Sequence, residues 1–116
     1  MKNVLILART APYGSVLCAE AFLAGIALKS MDMDANMVLI NDGVFAAMKG
    51  QKTELIGYKS IEEAIEGAPD FGLPIYIHSE AVQERGIHTS QLIPLKTIDN
   101  TVLKDMVKKA DAIITF

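Results

Sequence analysis

The feature that most constrains the fold is an uninterrupted apolar run from Val4 to Ala8, near the start of the sequence. The run lacks the alternation of polar and apolar residues that marks a strand with one solvated face. It is also too short to span a membrane or to form a signal peptide. Turn-forming residues follow it, among them Pro12 and Gly14. This pattern predicts a strand buried on both faces, as in a parallel sheet covered by helices.

The remainder of the chain alternates strand-like and helix-like segments. Apolar runs predict further strands at 36–40, 73–77, 92–95 and 112–115. Composition and capping signals predict helices at 16–30, 60–67, 79–85 and 100–109, with a short helical turn at 44–48. We therefore expect an α/β fold with helices on both faces of a parallel sheet. The length of 116 residues predicts one domain spanning 1–116.

Local signals make the boundaries more specific. Ser15 is a candidate N-cap of the first helix. One face of that helix is expected to pack on the sheet through Val16, Ala19, Leu23, Ile26 and Ala27.

Other capping and turn signals occur further along the chain. Ser60 and Glu63 match a capping box, and Gly86 is a candidate C-cap. Asp99 and Asn100 are both candidate caps of the last helix. In the turn after the second strand, we expect Gly43 to adopt a positive φ.

Composition excludes several classes of function. The net charge of -3 and the scattered basic residues argue against direct binding of nucleic acid. A single cysteine and two histidines leave no pattern for a disulfide or a metal site, and no cofactor is expected. The apolar fraction of 51% is high for a short chain, which predicts that part of the surface is covered in an oligomer. We expect a cytoplasmic protein that does not enter a membrane.

Candidate site residues lie in the loops after the first three strands, where parallel sheets place their binding sites. A turn interpretation and an anion-binding interpretation both remain open for the first loop, because it leads into a helix N-terminus. The candidates for a binding cleft are Thr10, Pro12, Tyr13, Gly14, Ser15, Asp42, Gly43, His78 and Ser79.

Two residues carry reactive groups. Cys18 is expected in the first turn of a helix, which lowers a thiol pKa, so it is a weak catalytic candidate. Its apolar neighbours favour a packing role instead. His78, Ser79 and Glu80 could form a hydrolytic or proton-transfer site. Adjacent residues on a strand point to opposite faces, so the three side chains need not converge. Ser79 as a helix N-cap beside a partly exposed His78 explains the same residues.

Four stretches together resemble the TusC/DsrF branch of the DsrE/DsrF-like family. The first is the loop 10–15, followed by Glu20 in the next helix. The second joins Asn41-Asp42-Gly43-Val44-Phe45 to Gly50-Gln51-Lys52. The third runs from Ile77 to Ile87 and includes Glu84-Arg85-Gly86, and the fourth is the terminal strand 111–116. Their order and spacing extend over nearly the whole chain.

The resemblance implies a three-layer α/β/α fold with a mostly parallel five-stranded sheet. It also implies assembly with related subunits of the DsrE/TusD and DsrH/TusB types, or with further copies of the chain. Such complexes pass persulfide sulfur between cysteines, toward tRNA 2-thiouridine or in dissimilatory sulfur metabolism. The family's acceptor cysteine ends the third strand, and His78 stands at that position here.

That difference shapes the functional expectation. We expect a non-catalytic scaffold subunit of a sulfur-relay complex, which does not catalyse a reaction by itself. One alternative is a sulfurtransferase that carries the persulfide on Cys18. Another is a homo-oligomer that binds a small ligand or anion at the loop 10–15.

Overall fold

The computed structural model describes residues 2–53, 57 and 60–116. Its strands are β1 (Asn3–Ala8), β2 (Asp34–Leu39), β3 (Ile75–His78), β4 (Lys96–Ile98) and β5 (Ala112–Thr115). Its α-helices are α1 (Leu17–Ser30), α2 (Ile61–Gly67), α3 (Ser79–Glu84) and α4 (Asn100–Lys109). Short 3-10 helices lie at Asn41–Ala47, Ala68–Phe71 and Thr89–Gln91. In the described part of the chain, no helix is long and apolar enough to cross a membrane.

The five strands form one sheet in the order β4-β3-β2-β1-β5, and every neighbouring pair is parallel. The chain moves in one direction across the sheet from β1 to β4 and then returns to the far side of β1. Because strand-to-strand crossovers are right-handed, this reversal requires α4 to lie on the opposite face from α1–α3. The expected α/β fold with helices on both faces is confirmed, and the sheet is entirely parallel.

The packing of the apolar side chains agrees with that layering. The larger cluster joins one face of the sheet, including Ile6 and Met37, to residues of the first three helices such as Phe22 and Ile65. The smaller cluster, on the other face, contains Leu5, Val38 and Ile98 and is covered by α4 through the half-buried side chains Leu103 and Met106. Both faces of β1 are therefore buried, as its uninterrupted apolar run predicted.

The predicted packing face of α1 is wrong. Val16 and Leu23 are 59% and 66% exposed, and the buried residues are Cys18, Ala21, Phe22 and Gly25. Apolar residues surround this helix, so helical spacing alone could not select the face that contacts the sheet. Gly25 marks the true face, since a Cβ there would lie 2.7 Å from a methyl group of Leu73.

Several predicted boundaries also differ from the structure. The fourth strand was predicted at 92–95 but occupies Lys96–Ile98, and Leu92 instead forms an isolated antiparallel bridge with Met48. Leu92 and Ile93 are buried because they pack in the larger core cluster. Burial by the core, rather than strand pairing, accounts for the apolar run that gave the wrong prediction.

The caps agree with the predictions in part. The Ser60 hydroxyl accepts a hydrogen bond from the Glu63 N–H at 3.3 Å, and an Asp99 carboxylate oxygen accepts one from Val102 N–H at 3.0 Å. Gly86 has φ of 64°, as its expected place at a helix C-terminus requires. Ser15 is not the N-cap of α1, because that position is occupied by Val16.

Candidate functional site

The crevice of an open parallel sheet lies where neighbouring strands lead into helices on opposite faces. Here β3 leads into α3 on one face and β4 leads into α4 on the other. The switch point therefore lies between the carboxyl ends of β3 and β4. His78 ends β3, and Asn100 begins α4 directly after its cap Asp99.

Hydrogen bonds connect the two sides of this switch point. His78 Nε2 lies 2.6 Å from Asn100 Oδ1, and the Asn100 backbone N–H donates to Glu80 Oε2 at 2.9 Å. The Ser79 hydroxyl donates to Glu80 Oε1 at 2.7 Å, and His78 Nε2 lies 3.5 Å from the same oxygen. We call His78, Ser79, Glu80 and Asn100 the switch-point cluster.

Glu80 is the anionic centre of the switch-point cluster. The backbone N–H of Asn100, and next the hydroxyl of Ser79, lower the pKa of the Glu80 carboxyl group. The carboxylate thus sits at the N-terminal end of α4, where the helix dipole favours a negative charge. An external anion would have to displace this carboxylate.

The hydrogen bond to Asn100 indicates which ring nitrogen of His78 carries a proton. An amide oxygen only accepts hydrogen bonds, so Nε2 donates to Asn100, and in the neutral ring Nδ1 is then an acceptor. His78 Nδ1 and the Thr10 hydroxyl are buried atoms without a hydrogen-bond partner in the part of the chain that the structure describes.

His78, Ser79 and Glu80, which on a continuous strand would point to alternating faces, lie close together in the structure. Ser79 begins α3 rather than continuing the strand, so its side chain turns toward Glu80. The prediction of Ser79 as the N-cap is wrong, because His78 occupies that position and Ser79 is the first residue of α3. The His78 side chain is partly exposed, as expected, at 14%. Ser79 donates its proton to a carboxylate and not to the imidazole, which is not the serine–histidine pairing of a nucleophilic site.

The first loop joins a different set of contacts. The Tyr13 hydroxyl donates to Gln51 Oε1 and accepts the Ile61 N–H at 3.1 Å. The Gln51 amide nitrogen donates to the carbonyl oxygens of Ala46 and Met48 at 2.7 and 2.9 Å. Tyr13 therefore fixes the loop to the start of α2.

The other residues of this loop have simpler surroundings. Gly14 has φ of 96° with open space around it, and Pro12 is half-buried. The Ser15 hydroxyl accepts from Leu17 N–H at a long 3.4 Å. These contacts agree with the turn interpretation of the loop.

The turn after β2 contains a correction at Gly43. Asn41, with φ of 49°, adopts the left-handed conformation there, and Gly43 does not. Gly43 is needed for close approach, because a Cβ at this position would lie 2.0 Å from the carbonyl oxygen of Ala8. Next to it, Asp42 Oδ1 accepts from Arg85 Nε at 3.1 Å, which ties the turn to the end of α3.

Cys18 lies in the first turn of α1, as predicted, but is completely buried. Burial raises the pKa of its thiol to about 11, because the thiolate would be removed from water. This raised pKa is opposite in direction to the lowering expected at a helix N-terminus, so the surroundings of Cys18 favour the packing interpretation.

Sequence reasoning missed the residues that complete these contacts. Asn100 was considered only as a cap, and Gln51 only as part of a resemblance. No signal in the sequence indicated the role of Asn100, because the strand order 4-3-2-1-5, which places its helix beside His78, is known only from the structure. In the described part of the chain, no group of three or more His, Cys, Asp or Glu residues could hold a metal ion.

The comparison with known proteins decides the family. The model of the DsrE/DsrF-like family matches residues 2–116. The chain belongs to the DsrE/DsrF-like family. It is 24% identical to the intracellular sulfur oxidation protein DsrF of Allochromatium vinosum, over all of this chain and 97% of DsrF. It is 25% identical to TusC of Buchnera aphidicola subsp. Baizongia pistaciae, over the full length of both chains.

A solved structure extends the comparison to three dimensions. The crystal structure of YchN from Escherichia coli superposes with a TM-score of 0.88, at 28% identity and with full coverage of both chains. The YchN sequence of strain K12 is 31% identical over the full length of both proteins. These relatives confirm the resemblance to the TusC/DsrF branch, and the YchN structure confirms the fold of this family.

Proposed function

We propose that this chain is a non-catalytic subunit of a cytoplasmic sulfur-relay complex. The observation that carries the proposal is the placement of its only thiol. Cys18 is completely buried, and burial raises the pKa of its thiol. The last residue of β3 is His78, which has an imidazole instead of a thiol. The matches to DsrF and TusC support membership of the sulfur-relay family.

The chemistry of such a relay requires an accessible thiolate. An acceptor thiolate attacks the outer sulfur of a donor persulfide, and the donor cysteine leaves as a thiolate, so one sulfur atom moves without net oxidation. Imidazole cannot hold a persulfide, and a buried neutral thiol cannot attack one. The alternative in which Cys18 carries the sulfur therefore has no support from the surroundings of that residue.

A scaffold subunit acts by binding related subunits of the complex. These are a DsrE/TusD-like subunit with a cysteine at the end of its third strand, a DsrH/TusB-like subunit, or further copies of this chain. The exposed apolar side chains of Leu17 and Leu23 in α1, together with Val16 at its N-cap, support a surface that is covered in a complex. The final acceptor would be tRNA for 2-thiouridine synthesis or a component of dissimilatory sulfur metabolism.

The test is a relay reconstituted from this chain and its cysteine-bearing partner subunits. Replacing Cys18 with Ala in this chain should leave sulfur delivery to the final acceptor within about twofold of the wild-type rate. Replacing the β3-terminal cysteine of the partner should abolish delivery. Loss of delivery with Cys18→Ala, in a complex that still assembles by native mass spectrometry, contradicts the scaffold role.

A further inference from the structure

The two edges of the sheet differ in their protection against pairing with another strand. The β4 edge has only three residues, begins with the exposed Lys96 and follows Pro94 by two residues. Short length, lysine and proline are the features that prevent edge strands from pairing with other chains. The β5 edge, Ala112–Thr115, is one residue longer and contains neither lysine nor proline.

The β5 edge also exposes apolar side chains on both faces of the sheet. Ile113 is 43% exposed beside Leu5 of β1, and Ile114 is 37% exposed beside Ile6. Leu5 and Ile6 belong to the two opposite core clusters. A strand added at this edge would therefore extend both apolar faces at once.

The hydrogen bonds with β1 determine which backbone groups of β5 are available. Phe116 N–H donates to the Leu7 carbonyl oxygen at 3.0 Å, and the Phe116 carbonyl oxygen accepts from Arg9 N–H at 2.9 Å. Backbone groups alternate in direction along a strand, so Ile114 also faces β1. The N–H and C=O groups of Ile113 and Thr115 point outward, where no strand of the described residues lies.

We propose that β5 pairs antiparallel with β5 of a second copy of this chain, about a twofold axis at Ile114. In this register, Ile113 of each copy lies opposite Thr115 of the other. Both are residues with outward groups, so the two pairs exchange four backbone hydrogen bonds. A twofold axis at Ile113 would place Ile113 opposite Ile113 and Thr115 opposite Asp111. Only the Ile113 pair would then form two backbone hydrogen bonds within the strand, because the Asp111 N–H already donates to the Asn3 carbonyl oxygen at 2.8 Å.

The occupant is a second copy because the edge is self-complementary. Each outward donor meets an outward acceptor of an identical strand, and the β-branched side chains Ile113 and Thr115 form cross-strand pairs on one face. The result is a continuous ten-stranded sheet whose two β4 ends remain protected. The pairing does not depend on the sulfur-relay role of the chain.

The register makes a specific cross-linking prediction for the full-length chain. The two copies of residue 114 lie opposite each other, and their backbone groups point toward β1 rather than toward the partner strand. Such a non-hydrogen-bonded pair has Cα atoms about 4.5 Å apart, so Ile114→Cys should form an intermolecular disulfide on mild oxidation. Ile113→Cys is the matched control, because the two copies of residue 113 are offset by two positions, roughly 8 Å between Cα atoms. Wild-type protein should not cross-link, since Cys18 is buried.

A second pair of variants tests the backbone hydrogen bonds. Thr115→Pro removes an outward N–H without removing a hydrogen bond to β1, whereas Thr115→Val keeps that N–H. At tens of micromolar, Thr115→Pro should lower the assembled mass by sedimentation relative to Thr115→Val, with both variants folded by circular dichroism. Equal assembly of the two variants, a monomeric wild-type protein, or cross-linking of Ile113→Cys as efficient as that of Ile114→Cys overturns the proposal.

Discussion

Gly43→Ala should destabilise the protein although it adds a single methyl group. The new Cβ would lie 2.0 Å from the Ala8 carbonyl oxygen and 2.8 Å from the Ala8 carbonyl carbon. Both contacts are to backbone atoms, so rotation of a side chain cannot relieve them. The end of β1 or the 3-10 helix at Asn41–Ala47 must shift, which weakens the hydrogen bond from Ile40 N–H to the Ala8 carbonyl oxygen at 3.0 Å.

The magnitude follows from these two effects. Overpacking costs about 1–3 kcal/mol, and a weakened backbone hydrogen bond adds about 1 kcal/mol. We expect the free energy of unfolding to fall by about 2–4 kcal/mol in a urea titration. The melting temperature should fall by roughly 4 °C for each kcal/mol.

Gly67→Ala is the matched control for this experiment. Gly67 has helical dihedral angles at the end of α2, and a Cβ there meets nothing within 4 Å. Alanine has the higher helix propensity, so this variant should gain about 0.5 kcal/mol. A Gly43→Ala variant within about 0.5 kcal/mol of the wild type would refute the close-approach argument.

The remaining predictions concern individual contacts. Because folding raises the pKa of Cys18 from 9.0 to about 11, the unfolded state loses this proton first as the pH rises. Stability should therefore decline between pH 9 and 11, and urea titrations of Cys18→Ala should show a smaller decline over that range. The pKa of Glu80 is lowered in the fold, so its stabilising contribution is present above pH 4.5 and is lost as the pH falls; Glu80→Gln should show a shallower loss in acid melts. Asp99→Ala removes the cap that accepts Val102 N–H and should cost about 1 kcal/mol in a urea titration. Tyr13→Phe leaves the Ile61 N–H without its acceptor and should cost about 1–2 kcal/mol in the same assay.

The sequence predicted strands correctly where an apolar run arises from burial within the sheet. The run Val4 to Ala8 is apolar at every position because both faces of β1 are buried. The last strand was predicted at its observed bounds, Ala112–Thr115. The fourth strand was predicted wrongly because Leu92 and Ile93 are buried in the core without belonging to a strand.

The candidate site was predictable only in part, because its contacts depend on strand order. His78 and Ser79 were identified from their place after a buried strand. Their partner Asn100 lies 22 residues from His78, and only the parallel pairing of β3 with β4 brings the two together. Gly43 was predicted to have a positive φ, whereas the structure shows a close approach to the Ala8 carbonyl group. Local turn rules could not predict this contact, because β1 contributes the carbonyl group.

The central claim is that this chain supports a sulfur relay without carrying the sulfur. The most direct measurement is intact-mass analysis of this subunit after the assembled complex has received isotope-labelled sulfur from a cysteine desulfurase. The account predicts no added sulfur on this chain and a persulfide on a partner subunit. A labelled sulfur adduct on this chain, absent from a folded Cys18→Ala variant, would contradict it.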